Sequence, residues 1–339
     1  MRFLFSTQRN EISDMVRAKF AMVVPVIEAT LFALNEDRII RLGGLSEWTL
    51  ADLAREYRDG SGDAGICFEY AVHDAIASRN DLIWPLASDV LETYCGITGG
   101  SDSLLFGPEK NGRIPVLESV ENALTDDSQL QVGYRGRPPK LKRHIKTIMR
   151  AFRRPDDRKL LPRSMRGVWK ADLFLGNITA DNWVGTTVKI NRRQLEGAEG
   201  LRIGVYPRAN DGDMPRKDEN LNLIMLPLPY DGEFMELFYK AFNLVRAFLS
   251  ADARVPAAVM LPDAEDRFIA KELESRRVFP ILEVVGAFRD MSQRELLVTS
   301  EVQDVVPTAA VVADQGLEEE PNAQADPEFV SLGPVASTG

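Results

Sequence analysis

The sequence predicts an α/β fold: a mixed sheet flanked by helices, with further helices ahead of it and a basic helix set into it. Three observations carry this reading. Strand-like stretches cluster over residues 168–229, and an amphipathic helical stretch, Gly232–Ser250, follows them. Helical periodicities precede them at residues 11–34, 45–57 and 66–79. With 45% hydrophobic and 27% charged residues, the chain has enough apolar material for a sizeable core.

Taken in order, residues 11–34 predict a helix with Pro25 as a kink or break. The longest apolar run, Phe20–Leu34, lies within it. It contains Pro25 and Glu28 and falls short of the roughly 18–20 residues that cross a bilayer, so it reads as a buried helix, not a membrane span or signal peptide. "LSEWTLADLAREY" holds a helix with Thr49 as N-cap and Leu50, Leu53 and Ala54 as its apolar stripe. "DGSGDAG" is a loop, and "ICFEYAVHDAIASR" a second helix with Cys67 and Phe68 in its core face. Residues 80–134 show no clear period. "RGRPPK" is a breaker, and Lys140–Arg154 then forms a helix with Leu141, Ile145, Ile148, Met149 and Phe152 on one face.

Strands are expected at Val168–Gly176, Trp183–Ile190, Leu201–Pro207 and Leu221–Pro229, with a short helix or turn at Arg192–Gly200. Trp169 and Trp183 are expected to be packing residues. Residues 255–300 are expected to hold a short strand and a helix. From Glu301 to Gly339 there are eight acidic and no basic residues, the composition of a disordered tail. The expected organisation is therefore an N-terminal helical region at 1–58, an α/β domain at 59–300 with an insertion at about 80–165, and an acidic tail at 301–339.

Charge is unevenly spread. The chain carries −10 overall, yet Arg135–Lys170 holds fourteen basic residues against Asp156 and Asp157, so this segment carries +12. Local field, not net charge, decides whether a polyanion docks. Lys140, Lys142, Arg143, Lys146, Arg150, Arg153 and Arg154 are the candidate contacts, reading phosphate backbone rather than base sequence. A solvated helix face and a protein or membrane contact are the alternatives for such a run. Cys67 and Cys95 lack metal-type spacing and fit a reducing cytoplasm.

The hairpin Val168–Gly176 and Trp183–Ile190 folds about a turn between residues 179 and 180. That places Asp172 opposite Thr187, with Lys189 on the same face. Upstream, Glu69 lies in the first turns of a helix, and His73, four residues on, shares its face as a satisfied, partly buried histidine.

A helix glutamate, then a strand aspartate and a strand lysine, resembles the PD-(D/E)XK nuclease superfamily, over about residues 60–250. The resemblance implies a restriction-endonuclease-like mixed sheet flanked by helices. It implies Mg2+ (or Mn2+) held by Asp172, Glu69 and the main-chain carbonyl of Val188. Lys189 would orient the attacking water, and Thr187 stands where an acidic residue is usual. Glu196 is a relocated candidate acid, with Asn191 and Gln194 as polar helpers. The implied activity is endonucleolytic hydrolysis of DNA by a homodimer, restriction-like or in antiviral defence. A non-catalytic nucleic-acid-binding or regulatory protein, or a subunit of a larger assembly, is the alternative. "LSEWTLADLAREY" favours it, because it resembles the first helix of a helix-turn-helix.

Overall fold

The Ser13 hydroxyl accepts the Val16 N–H and opens α1 (Asp14–Phe32). The structure, a computed structural model, describes residues 13–34, 39–40, 43–58, 63–112, 118–133, 136–197, 199–210, 212–229, 233–255 and 263–292. α1 runs unbroken through Pro25, where the sequence predicts a kink or break. It is buried on nearly every side, so packing outweighs the one helical N–H that proline lacks. Thr49 caps α2 (Leu50–Glu56) as expected, and Asp52 completes the capping box. Asp63 caps α3 (Ala64–Ala77).

Residues 80–134 depart most from the sequence reading. They form α4 (Ile83–Val90), β1 (Asp102–Leu105), α5 (Gly107–Asn111), α6 (Val120–Ala123) and β2 (Gln129–Leu130). β1, within the span expected to be an insertion, pairs with β3 at one edge of the main sheet. Four residues are too few to announce a period on their own, and pairing with a neighbour is what makes them a strand.

The basic stretch forms α7 (Leu141–Arg153). Then come β3 (Leu173–Asn177), β4 (Asn182–Val188), β5 (Arg202–Pro207), β6 (Arg216–Asp218) and β7 (Leu223–Leu228). The expected strand start at Val168 is corrected: Val168–Lys170 is a turn of 3-10 helix, and β3 begins at Leu173. Trp169 accounts for this. Its ring lies 3.6 Å under the Arg158 guanidinium and 6.4 Å from Phe152, an anchorage outside the sheet. α8 (Glu233–Ser250), α9 (Ala264–Ser275) and α10 (Ile281–Met291) close the described chain. Over residues 263–292 the expected strand is absent; only a single bridge joins Pro280 to Thr49. The acidic tail, residues 301–339, and Arg135 lie outside the described residues.

The sheet among the described residues has seven strands in the order β1-β3-β4-β5-β7-β6, with β2 beside β4. β3 is antiparallel to both of its neighbours, β1 and β4; β4, β5 and β7 run parallel, and β6 is an antiparallel edge. Leu173 pairs with Thr186, the register the hairpin turn predicted. Asp181 holds that turn, accepting from Thr125 Oγ1, Ser128 Oγ and Trp183 Nε1.

Both faces of the sheet are buried. Leu173, Leu175, Val184 and Val188 face a large core shared with α1, α3, α8 and α10. Phe174 and Trp183 face a second core under α7. β4 therefore lacks the apolar–polar alternation of a half-exposed strand. No helix among the described residues is long and apolar enough to cross a membrane.

Candidate active site

Three elements bring the site together. β3 and β4 end side by side, with Asp172 one residue before the first and Lys189 one residue after the second. Strand register thus places both at the open end of the hairpin. α3 packs against β1 and β4 and delivers Glu69 from its second turn. Lys189 Nζ lies 3.0 Å from Asp172 Oδ2 and 3.4 Å from Glu69 Oε1, so one ammonium bridges both carboxylates. Asp172 Oδ2 also accepts the Val188 N–H at 3.0 Å. Glu69, Asp172 and Lys189 are therefore brought together as the sequence reading expected.

The electrostatics separate the two acids. Burial would raise Asp172, but Lys110 and Lys189 outweigh it and hold this carboxyl below its usual range. Burial, and then the charge of Asp172, push Glu69 up to about 8. Burial works against the Lys189 charge, yet Asp172 and Glu69 prevail and hold its pKa above the usual lysine value.

Lys110 is the residue the sequence reading missed. It sits on α5, is 4% exposed, and donates to Asp172 Oδ1 at 2.8 Å and to the Ala171 carbonyl at 2.7 Å. The available signal was local: Pro108 near the helix start, and Gly112 in a left-handed cap at φ 74°, bracket a short helix. Nothing in that pattern tells which way Lys110 faces.

Thr187 is placed differently from expectation. Its hydroxyl donates to the Lys170 carbonyl at 3.2 Å and accepts from Arg202 Nη1 at 3.4 Å. Neither bond reaches Glu69, Asp172 or Lys189. Glu196 is exposed and pairs with Lys170, so it does not supply the absent acid. A cavity of about 750 Å3 opens beside the cluster, lined by Glu69, Val188, Lys189, Asn191 and Gln194 with residues 63–66 of the α3 start. Asn191 and Gln194 thus border the site, as expected. His73 Nδ1 shares a hydrogen bond of 2.9 Å with Ser103 Oγ, and Cys67, Phe68 and Trp183 are core.

The basic helix has the expected two faces: Leu141, Ile145 and Ile148 are buried, while Arg143, Lys146, Arg150, Arg153 and Arg154 are exposed. Its charges are not equally available. Lys140 pairs with Asp127, Lys146 with Glu121, and Lys142 donates to the Leu124 carbonyl. Arg143 and Arg154 form no ion pair among the described residues. α7 also borders the site, because Lys110 Nζ lies 4.8 Å from the centre of the Phe152 ring.

A divalent metal here would need hard oxygen donors. Among the described residues no group of three or more His, Cys, Asp or Glu is placed to hold one. Asp172 and Glu69 nonetheless offer hard carboxylate oxygens on a single ammonium, and Glu69, Val188 and Lys189 line the cavity. Mg2+ commonly takes one or two carboxylates and completes its shell with water and phosphate, so this oxygen set fits it.

No protein-family model, curated protein or solved structure matches the chain.

Proposed function

We propose that the protein is a metal-dependent nuclease that hydrolyses phosphodiester bonds in DNA, of the PD-(D/E)XK type. The observation that carries this reading is the bridge from Lys189 Nζ to both Asp172 and Glu69, with Lys189 and Glu69 lining a cavity. Asp172 and Glu69 would hold Mg2+ or Mn2+, which when bound supplies charge stabilisation at the scissile phosphate. Lys189 orients the attacking water and offsets negative charge as it develops. Burial and the Asp172 charge raise the pKa of Glu69, and Lys189 beside it opposes that rise. The exposed arginines of α7 seat the phosphate backbone. The order of helix glutamate, antiparallel hairpin and parallel strand further supports the assignment.

The test is cleavage of supercoiled plasmid with Mg2+ or Mn2+ and with EDTA, by wild type, Asp172→Ala and Lys189→Ala. Metal-dependent nicking that both substitutions abolish is the expected result. A folded wild-type protein that binds DNA but never cuts it would remove the catalytic reading. A second reading, a non-catalytic DNA-binding protein on the same fold, is favoured by Thr187, whose hydroxyl is committed to Lys170 and Arg202.

A further inference from the structure

Three nitrogen donors hold the Asp172 carboxylate. Oδ2 takes Lys189 and the Val188 N–H, and Oδ1 takes Lys110. Lys189 lines the cavity, where substrate would enter, but Lys110 does not line it and is closed off from water. Its ammonium meets a carboxylate oxygen, a carbonyl oxygen and the Phe152 ring. α5 is pinned at its other end as well, since the Phe106 and Gly107 N–H groups both donate to the Asp172 carbonyl at 2.9 Å. A helix of five residues, with no length to be stable alone, is thus held on Asp172 by both its main chain and its lysine.

A divalent cation and a lysine ammonium compete for the same carboxylate lone pairs, and like charges at contact distance repel strongly where water is excluded. We propose that Lys110 is a positioning residue that occupies the cation's place on Asp172 in the resting site, so that metal enters only as Lys110 withdraws. This rests on the metal-dependent reading above and adds a control on it. The seat of Lys110 is partly built by α7, so the helix that would carry DNA also forms one wall of the latch.

Mn2+ binding, read by electron paramagnetic resonance of the free ion, tests this without any cleavage. The proteins are the full chain as wild type, Lys110→Met, Lys110→Arg, Phe152→Leu and Lys110→Met/Asp172→Asn. Lys110→Met keeps the length and removes the charge, and is expected to tighten Mn2+ binding about tenfold or more. Lys110→Arg, which keeps the charge, should remain close to wild type, and adding Asp172→Asn should abolish the gain. Phe152→Leu loosens the seat with Lys110 intact and should tighten binding in the same direction, which keeps the test open if Lys110→Met fails to fold. Equal binding by wild type, Lys110→Met and Phe152→Leu would overturn the latch and leave the metal site standing. Absence of Mn2+ binding in all of them would overturn the latch and the metal-dependent reading together. A gain that survives Asp172→Asn would overturn the assignment to Asp172.

Discussion

Lys189 donates to Asp172 Oδ2 at 3.0 Å across the open ends of two paired strands, although neither residue belongs to a strand. The backbone still fixes both, since the Asp172 N–H donates to the Thr186 carbonyl at 2.8 Å and the Lys189 N–H to the Val205 carbonyl at 2.9 Å. The same carboxylate also neutralises Lys110, whose side chain is only 5% exposed. Replacing Asp172 by Asn strands a buried ammonium, a change that typically costs about 3–5 kcal/mol. Urea unfolding should show that loss for Asp172→Asn. Lys110→Met in the same chain should restore a large part of it, since the uncompensated charge is then gone. A double variant no more stable than Asp172→Asn alone would show that Lys110 is not the buried charge that matters.

Restoring an acid at position 187 should not build a better metal site. Thr187 bonds to the Lys170 carbonyl and to Arg202, a guanidinium 1% exposed. A carboxylate there meets Arg202 first and is neutralised by it. Thr187→Asp should therefore bind Mn2+ no more tightly than wild type, as measured by calorimetry. Tighter binding would mean that the side chain turns instead toward Asp172.

DNA binding should depend on salt in a residue-specific way. Each phosphate contact contributes about 0.9 to the slope of log affinity against log salt. Arg143→Ala and Arg154→Ala should each lower the slope by about that amount. Lys140→Ala should change it less, because Lys140 already pairs with Asp127 at 2.7 Å. Fluorescence anisotropy across a salt series separates the three, and equal slopes throughout would move the interface off α7.

His73 gives a pH signature of folding. Burial lowers its pKa from the ordinary 6.5 to about 4, with Arg289 adding to the effect and Asp74 opposing it. Between those values the unfolded chain binds the proton and the folded chain does not. Stability contributed by His73 is thus present above the unfolded value, is lost as pH falls through that window, and levels off below it. The loss should be roughly 1–3 kcal/mol. His73→Asn keeps a partner for Ser103 and removes the titration. Its stability relative to wild type should rise as pH is lowered from 7 to 4; a constant difference would show that His73 titrates normally.

Gly176 is required where β3 passes Trp183. A Cβ built there would lie 2.1 Å from the Asn182 carbonyl oxygen and 2.8 Å from the Trp183 ring. The first contact is with backbone and cannot be relieved by a side-chain rotation. Gly176→Ala should destabilise by about 2–4 kcal/mol in urea unfolding, the range of a core overpacking that moves backbone.

Local pattern alone determined much of this protein. The caps at Thr49 and the stripe of α7 were legible because helix ends and helix faces are set by residues three and four apart. The register of Leu173 with Thr186 was legible because a tight turn leaves few ways to fold a hairpin, and with it came the meeting of Asp172 and Lys189. Tertiary structure alone decided the rest. β1 is a strand because β3 lies beside it, and Trp169 leaves the sheet because Arg158 and Phe152 hold it elsewhere. Thr187 turns to Arg202, fifteen residues away, and Lys110 finds Asp172 across sixty-two. Those contacts satisfy buried charge and polarity between distant segments, a requirement that exists only once the segments are packed and water has been excluded.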